Sequence, residues 1–237
     1  MGEELRYNLG FWLFHNAAKG ILTIQKADVE NRYVATFVGH TQGFIGFLTG
    51  NRKYTLVSTM EVIEDGKRFR TLQFEQRITS KKKNRVKIHT FDRKIRKIMV
   101  ASKEKGSNWK REEIDITSNQ TCDDPITSFY NFRFGVYGKV ANGKIFKIPC
   151  IPKKGRSYIS IHIASDQIEK DRQRQEKDSS GKEYFVTMVL HKEFTLSKTG
   201  IIEGWLSKEL IPITGKVRDV MLLGDVYGTL TQRIVSS

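Results

Sequence analysis

The chain has 237 residues, of which 38% are hydrophobic and 11% aromatic, enough to build a packed core. It contains no run of eighteen or more apolar residues, which excludes a membrane-spanning helix. Glycine is frequent, at 19 residues, and proline is scarce, at 4, so the composition favours hairpins closed by glycine turns over a disordered chain.

Short segments of alternating apolar and polar residues follow one another along most of the chain. The clearest pair is residues 53–63 and 69–78, separated by an Asp65–Gly66 step that is typical of a hairpin turn. Further segments bring the predicted number of strands to roughly a dozen, with turn signals between them. The pattern predicts an all-β, mainly antiparallel fold, either a large curled sheet or an open barrel.

Residues 39–50 form an apolar segment punctuated by glycines, which we interpret as a loop or a short helix. Phe44 and Phe47 lie in it, and Tyr54 and Leu56 alternate on the strand that follows. These side chains could simply pack in the core, or they could form the lip of a ligand cavity. We include all four among the candidate cavity residues.

Positive charge is concentrated between residues 77 and 111, which contain 14 Lys or Arg and only two acidic residues, in a chain of formal net charge +15. Period-two alternation puts these basic side chains mostly on one face of a hairpin. Such a face attracts anionic lipid, glycolipid or nucleic acid; the alternative is a solvated face that keeps strand edges apart. The predicted basic surface comprises Lys81, Lys82, Lys83, Arg85, Lys87, Arg93, Lys94, Arg96 and Lys97.

Residues 123–138 are the one predicted helix, packed on or into the sheet. Asp123 and Asp124 can cap its start, and Pro125 fits its first turn because the missing N–H has no partner there anyway. The predicted organisation is a single β-rich domain of residues 1–237, with strand-rich halves 1–121 and 139–235 on either side of the helix.

Phe129, Tyr130 and Arg133 share one face of this helix. If that face points inward, Arg133 needs a partner, since an unpaired buried charge is very costly. The partner could be a structural acid or the anionic head of a ligand. The predicted ligand cavity therefore comprises Phe44, Phe47, Tyr54, Leu56, Phe129, Tyr130, Arg133 and Trp205.

No motif with catalytic chemistry is found. The five histidines are scattered singly, and the chain lacks a Gly-x-Ser-x-Gly motif, a P-loop and a dinucleotide fingerprint. We therefore predict no cofactor, no metal and no enzymatic activity. Nucleic acid is the less favoured polyanion, because no nucleic-acid-binding motif is present and the basic hairpin offers only Phe91 and Trp109 for base stacking.

Cys122 and Cys150 flank the predicted helix. They are too far apart in the sequence to form a Cys-x-x-Cys motif. In an oxidising compartment they could form a disulfide that closes a loop of about 29 residues. The alternative is a pair of free, buried thiols.

Several short motifs resemble a known family. In their order and spacing they are similar to the bacterial exported proteins grouped as domain-of-unknown-function family 3108. The chain departs from that pattern at residues 208–210, where an aspartate-bearing turn is expected, and in an additional polar stretch at 166–183, which we interpret as a long exposed hairpin loop or a frayed helix. The motifs are Gly-Glu-Glu-Leu-Arg-Tyr at 2–7 leading to Trp12, Asp-Pro-Ile-Thr-Ser-Phe-Tyr-Asn-Phe-Arg at 124–133, Gly-Trp-Leu-Ser at 204–207, Ile-Pro-Ile at 211–213 and Gly-Thr-Leu at 228–230.

The resemblance implies a signal peptide that is absent from this sequence, a location in the periplasm or cell envelope of a Gram-negative bacterium, and no established activity. At the level of fold it implies likeness to curled-sheet lipoprotein carriers. Our leading hypothesis is a non-enzymatic envelope protein that binds or shields an apolar, lipid-like ligand and contacts anionic membrane or glycolipid through the basic hairpin. The alternatives are a packed structural or interaction module that docks an acidic protein and, less favoured, a nucleic-acid-binding protein.

Overall fold

A computed structural model describes residues 2–11, 14–116, 121–153, 156–176, 178–220 and 223–236 of the chain. Within these residues, fourteen antiparallel strands form one sheet, accompanied by four short helices. The strands are β1 (Gly2–Phe11), β2 (Phe14–Lys26), β3 (Arg32–Thr41), β4 (Lys53–Ile63), β5 (Arg68–Thr79), β6 (Asn84–Asp92), β7 (Lys97–Glu104), β8 (Lys110–Asp115), β9 (Ile145–Lys153), β10 (Arg156–Ile163), β11 (Tyr184–Val189), β12 (Ile201–Leu206), β13 (Pro212–Val220) and β14 (Gly224–Ser236). The helices are α1 (Gly43–Thr49), α2 (Pro125–Arg133), α3 (Asp166–Gln175) and α4 (Lys192–Thr195).

The strands are ordered as two meanders joined at the middle of the sheet. β1 to β8 are successive neighbours, β9 to β14 are successive neighbours, and β1 pairs with β14. In that central pair Gly2 lies opposite Ser236 and Phe11 lies opposite Val226. β8 and β9 are left as the two edges, and the sheet curls until it forms a nearly closed barrel.

A row of glycines lets the sheet curl where β12, β13 and β14 meet. Gly204 lies opposite Gly215, which in turn lies opposite Gly228. A Cβ atom added at Gly204 would lie 2.1 Å from the carbonyl oxygen of Thr214, so a side chain there would force the backbone apart. Glycine inside a strand commonly marks such a bend or close approach.

The predicted all-β class, with its barrel or curled-sheet architecture, is confirmed. The part of the chain that the structure describes has more helices than the one predicted. α1 falls within the ambiguous segment 39–50, and α3 falls within the polar stretch 166–183, for which the sequence left a long exposed loop or a frayed helix open. α3 has acidic residues in its first turn and basic residues in its last, an arrangement that favours a helix through its dipole.

Across the described residues, we find no helix with the length and hydrophobicity that a bilayer crossing needs.

α2 fills the space between the two meanders. It packs against β4 and β5 on one side and β9 on the other. Ile126, Tyr130 and Phe132 are buried, and the ring of Phe132 meets that of Phe146 edge to face at 5.3 Å between centroids. The predicted helix is therefore present, although it is shorter than residues 123–138, and it lies inside the curl of the sheet.

The start of α2 depends on the buried carboxylate of Asp124. Its Oδ1 accepts hydrogen bonds from the backbone N–H groups of Ile126 at 2.7 Å and Thr127 at 3.2 Å. Its Oδ2 accepts from the hydroxyls of Ser58, Thr71 and Thr127 at 2.6, 2.8 and 2.6 Å. Burial nevertheless raises the pKa of this carboxyl above its ordinary value. The single carboxylate of Asp124 thus both caps the helix and joins it to β4 and β5.

Two further side chains attach α2 and the residues before it to β5. β5 pairs with β6 only from Gln73 onward, so its first residues have no strand neighbour on that side. The amide of Asn131 binds both the N–H and the carbonyl of Phe69, each at 2.8 Å. The carboxylate of Asp123 accepts from the N–H of Thr71 at 3.0 Å. Asp123 therefore does not cap the helix as predicted but pairs with the free backbone of a strand.

We predict that Asp124→Ala destabilises the fold by about 3 kcal/mol, because it removes a helix cap and leaves several buried donors without an acceptor. Urea unfolding at neutral pH measures the change. The matched control is Ser165→Ala, because Ser165 occupies the same capping position of α3 without a side-chain capping bond. The control should cost less than about 0.5 kcal/mol. Equal losses in the two variants would show that the Asp124 contacts do not govern stability.

Candidate functional site

An open groove lies at one end of the barrel. It has a volume of about 1180 Å³ and is formed where four described parts of the chain meet: the adjoining ends of β1 and β2, α1 with the residues that follow it, the β5–β6 turn, and Leu223 with the start of β14. We call this the end groove and the corresponding end of the barrel the groove end. Its described lining comprises Phe11, Phe14, Ile45, Phe47, Leu48, Thr49, Gly50, Arg52, Ser80, Lys81, Lys82, Lys83, Leu223, Gly224, Asp225 and Tyr227.

The end groove exposes large apolar side chains to solvent. Phe47 and Leu48, which are consecutive residues of α1, are 71% and 62% exposed. Phe14 and Tyr227 are also exposed, and the rings of Phe11 and Phe14 lie 5.6 Å apart. Single exposed apolar residues are common on proteins, but a contiguous apolar patch with a polar rim is typical of a binding surface.

Lysines form one rim of the end groove. Lys81, Lys82 and Lys83 in the β5–β6 turn are all exposed, and they lie directly beside the apolar residues. The ammonium group of Lys81 lies 5.9 Å from the centroid of the Phe47 ring. The backbone N–H of Lys81 also donates to the carbonyl of Gly50 at 3.0 Å, which holds the turn against the end of α1. The groove therefore combines an apolar floor with a cationic edge.

The structure does not gather the eight predicted cavity residues around one cavity. Phe47 lies in the end groove, and Phe44 is in α1 with a side chain outside the described part of the structure. Tyr54 is half-buried, and its hydroxyl donates to the carbonyl of Phe194 at 3.2 Å. Leu56 is a buried core residue.

The other four predicted cavity residues lie elsewhere. Phe129 and Tyr130 belong to the core around α2, their rings 5.3 Å apart. Trp205 lies opposite Phe185, with its indole N–H donating to Glu176 at 3.0 Å. Its neighbour Leu206 joins the main core, and side chains alternate along a strand, so Trp205 lies on the other face of the sheet.

Arg133 has a partner within the protein. Its guanidinium donates to both carboxylate oxygens of Glu3, at 2.6 and 3.1 Å, and both side chains are largely buried. Glu3 also accepts from Arg233 at 3.0 Å. Burial alone would raise the pKa of Glu3, but hydrogen bonds and charge from Arg133 and Arg233 hold it below its ordinary value. Arg133 thus ties α2 to β1 and, through Glu3, to β14.

The predicted basic surface is divided between the two ends of the barrel. β6 has nine residues and spans roughly 30 Å at about 3.4 Å per residue. Residues 81–85 lie at its start, at the groove end, whereas residues 93–97 lie in and after the β6–β7 turn at the opposite end. Lys87 lies between them, only 12% exposed, with its ammonium 3.5 Å from Glu112. The hairpin itself is present, but its charges do not form one continuous face.

The arginines of the β6–β7 turn bind the protein's own backbone. Arg93 donates to the carbonyls of Thr71 at 3.2 Å and Cys122 at 3.0 Å, and to the carboxylate of Asp123 at 3.0 Å. Arg96 donates to the carbonyl of Ile116 at 3.2 Å. These guanidinium groups are occupied in holding β5, β7 and the approach to α2, so they offer less charge to an external partner than the lysines at the groove end.

Cys122 and Cys150 are both buried and are free thiols in this structure. Residue 123 forms a parallel bridge with Cys150, so the segment before α2 lies along the edge strand β9. Burial raises the pKa of Cys122 to about 12 and raises that of Cys150 well above its ordinary value. Both groups are therefore neutral thiols at physiological pH.

Among the described residues, no group of three or more His, Cys, Asp or Glu is arranged to hold a metal ion.

The geometry above can be set beside proteins that this chain resembles. The family described as "Protein of unknown function (DUF3108)" matches residues 5–231. The chain belongs to this family. The resemblance inferred from the sequence motifs is thereby confirmed. Among curated proteins, none matches the chain.

A crystal structure has a related fold: the β-barrel-like protein of domain of unknown function DUF1849 from Brucella abortus. The TM-score is 0.52 at 12% sequence identity, and the comparison covers 100% of this chain and 98% of that chain. At such low identity the likeness concerns the fold alone. It supports a nearly closed barrel for the DUF3108 chain and leaves its ligand to be argued from the side chains.

Most residues of the end groove were not predicted from the sequence. Phe47 and the lysines at 81–83 were named, but Phe11, Phe14 and Tyr227 were taken as ordinary strand residues. They come together because β1, β2 and β14 are neighbours in the sheet, which is a long-range pairing that local periodicity does not reveal.

We predict that Glu3→Gln lowers stability at pH 7 by about 1–2 kcal/mol, because it breaks hydrogen bonds to charged arginines. The folded-state pKa of Glu3 is lowered, so its stabilisation is present above its ordinary pKa of 4.5 and is lost as the pH falls through the lowered value. Urea unfolding measures the difference in stability between Glu3→Gln and the unmodified protein. This difference should be smaller at pH 3 than at pH 7.

The adjacent Glu4→Gln is the matched control for this variant. Glu4 pairs with Arg6 on the surface, where ion pairs contribute little to stability. A loss for Glu3→Gln that matched the control, or that did not shrink in acid, would contradict a stabilising role for the Glu3–Arg133 pair.

Proposed function

We propose that this protein is a non-enzymatic protein of the bacterial cell envelope that binds an anionic amphiphile, such as a phospholipid or glycolipid, at the end groove. The acyl part would contact the apolar floor, and the anionic part would contact the lysine rim. The observation that carries the proposal is the juxtaposition of Phe47 and Leu48, both strongly exposed, with Lys81, Lys82 and Lys83.

The shape of the groove suits such a ligand. Its volume of about 1180 Å³ exceeds the few hundred to about 1,000 Å³ typical of small-molecule pockets, so an acyl chain has room to lie in it. Apolar surface removed from water contributes roughly 25 cal/mol per Å², which favours burial of the exposed aromatic and leucine side chains against lipid. The lysines supply orientation, because all three belong to a single turn, the β5–β6 turn.

Charge at the groove end favours the same partner. Arg52 and Lys81–Lys83 line the groove, and one acid, Asp225, lines it with them. Asp225 is already paired with Lys216, at 2.7 Å. Cationic side chains close to an anionic membrane contribute about 1 kcal/mol each to binding. The groove end therefore suits a surface that is apolar within and anionic outside, which describes a bilayer of acidic lipids.

The envelope location and the absence of catalysis are parts of the proposal. The location rests on the exported proteins that the sequence motifs resemble. The absence of catalysis rests on the scattered histidines of the sequence.

The packed interior favours a second candidate, a structural module that docks an acidic protein. α2 lies inside the curl and buries Ile126, Tyr130 and Phe132, and the carboxylate of Asp124 is consumed by its own helix and strands. A ligand would therefore have to bind at the end of the barrel and not within it. The same lysine rim would then meet acidic side chains in place of lipid phosphates.

We predict that the triple variant Lys81→Glu, Lys82→Glu, Lys83→Glu weakens binding to anionic vesicles at least a hundredfold. Three lysines at about 1 kcal/mol each account for such a change. Vesicles made of equal parts of phosphatidylglycerol and phosphatidylcholine measure the binding by co-sedimentation, and pure phosphatidylcholine serves as the neutral surface.

The matched control is the triple variant Lys26→Glu, Lys67→Glu, Lys94→Glu. These exposed lysines lie at the opposite end, and the change in net charge is identical. The control should bind anionic vesicles within a few-fold of the unmodified protein. Equal loss in both variants would mean that net charge, not the groove end, drives binding. Unchanged binding in the first variant would refute the lysine rim as a contact.

We also predict that Phe47→Ser combined with Leu48→Ser lowers the affinity for a fluorescent fatty acid at least tenfold. Each large apolar side chain contributes about 1.5–3 kcal/mol when it is fully buried, and the loss of two exceeds that factor even at partial burial. The control is Ile95→Ser combined with Ile168→Ser, which are exposed to a similar degree outside the groove. No probe binding by the unmodified protein would favour the interaction module.

A further inference from the structure

A second cavity at the groove end concentrates positive charge that is partly buried. It has a volume of about 270 Å³, which corresponds to about nine water molecules. It lies between β4, β5, β6 and α4, and we call it the α4 cleft. Its lining comprises Tyr54, Gln76, Ile78, Arg85, Lys87, Lys192, Glu193, Leu196, Ser197 and Lys198.

Two lysines beside this cleft share one carboxylate. Lys153 reaches Glu193 at 3.1 Å and Lys87 reaches the same oxygen at 3.8 Å. The side chains of Lys153 and Lys87 are only 8% and 12% exposed, whereas Glu193 is 43% exposed. Lysine is seldom buried to this degree without a full set of partners. The arrangement therefore holds two cations in a confined space around one half-exposed anion.

The remaining charges around the α4 cleft do not restore neutrality. Glu112 lies 3.5 Å from Lys87 and Glu104 lies 3.5 Å from Arg85, so each is already matched to a cation. Lys192 and Lys198 are exposed at the cleft, and in the described part of the chain neither forms an ion pair. The five basic side chains Lys87, Lys153, Arg85, Lys192 and Lys198 thus face three carboxylates.

The buried residue His89 is a neighbour of the two lysines, and its pKa is shifted. His89 lies two residues after Lys87 on β6 and so projects from the same face of the strand. Burial, followed by the charges of Lys153 and Lys87, lowers the pKa of His89 to about 3, so its ring is neutral at physiological pH. Burial and the charge of Lys87 also lower the pKa of Lys153. Burial is the largest cause of both shifts, and the charge of the neighbouring lysines adds to it, in agreement with the excess of cations given by the ion pairs.

We infer that the α4 cleft binds a phosphoryl group, with the ammonium groups of Lys87, Lys192 and Lys198 as its main contacts. The excess of two positive charges matches a phosphate monoester, which carries about −1.5 to −2 at neutral pH. Lysine binds phosphate as a mobile point charge, and such charge-assisted hydrogen bonds are roughly twice as strong as neutral ones.

Two sources could supply the phosphoryl group. One is a free phosphate ester, and the other is the head group of a lipid whose tail lies in the end groove. The second is geometrically open, because Tyr54 on β4 and Ile78 on β5 line the cleft, and Arg52 and Ser80, each two residues away and just beyond the end of the same strand, line the groove. That spacing places the two sites about 7 Å apart along each strand. The inference concerns the phosphoryl site itself and holds for either source.

The test is calorimetric titration of the purified protein with inorganic phosphate and with glycerol phosphate, alongside co-sedimentation with phosphatidic acid vesicles. Lys87→Met should weaken binding of the phosphoryl ligand at least tenfold, and Lys26→Met, at an exposed lysine of the opposite end of the barrel, should leave it unchanged. Because Lys87 is partly buried, the exposed pair Lys192→Gln with Lys198→Gln provides a second variant that removes charge without disturbing the core. It should weaken binding at least threefold.

The outcomes separate the sources and the two proposals. If the unmodified protein binds the soluble phosphates and the cleft variants do not, the source is a free ester. If the unmodified protein binds only the vesicles and the cleft variants lose that binding, the source is a lipid head group. Retention of phosphate binding by the Phe47→Ser, Leu48→Ser variant supports the cleft as a site separate from the groove. If neither phosphates nor phosphatidic acid bind, or if both cleft variants bind like the unmodified protein, the inference is overturned even where the end groove binds fatty acid.

Discussion

The free edge of β5 is the constraint on which the rest of the structure depends. β6 leaves the first residues of β5 unpaired, and their backbone groups could not remain buried without partners. Asn131 and Asp123 supply those partners, and Asp124, which caps α2, also accepts hydrogen bonds from the hydroxyls of Ser58 on β4 and Thr71 on β5. The helix, its preceding segment and the strand are thus one hydrogen-bonded unit. Because residue 123 also bridges to β9, this unit spans from one meander of the sheet to the other.

The position of α2 determines where a ligand can be received. With the helix inside the curl, Tyr130 and Phe132 take up interior space that lipid-binding barrels commonly leave open. Large apolar side chains that stay exposed beside charge are found at the groove end, where α1 presents Phe47 and Leu48. A fold that packs its centre and leaves apolar surface at one end is suited to a surface contact or a partly inserted chain, more than to full enclosure of a ligand.

Local signals in the sequence were sufficient for the class of fold but not for the sites. Alternation and the Asp65–Gly66 turn predict strands and a hairpin, and the residues around Pro125 predict a helix start, because each depends on neighbours in the chain. The end groove depends on β1 lying beside β14, and the role of Asp123 depends on a gap in strand pairing; neither has a local signal. Trp205 was included among the cavity residues, yet its neighbour Leu206 faces the main core and Trp205 lies on the other face of β12.

Arginines at one end of the barrel are bound to the protein itself, and this bears on which end receives a partner. At the end formed by the β6–β7 turn, Arg93 and Arg96 donate to backbone carbonyls, a use for which the planar guanidinium with several donors is suited. At the groove end, Lys81, Lys82 and Lys83 are exposed beside the apolar residues of the end groove. Arginine bound to the protein's own backbone gains little from a new anion, whereas lysine held near exposed aromatic surface gains both charge neutralisation and apolar contact. Equal numbers of positive charges at two ends therefore do not mean equal affinity, and the sequence count of basic residues overstates the surface that is available for binding.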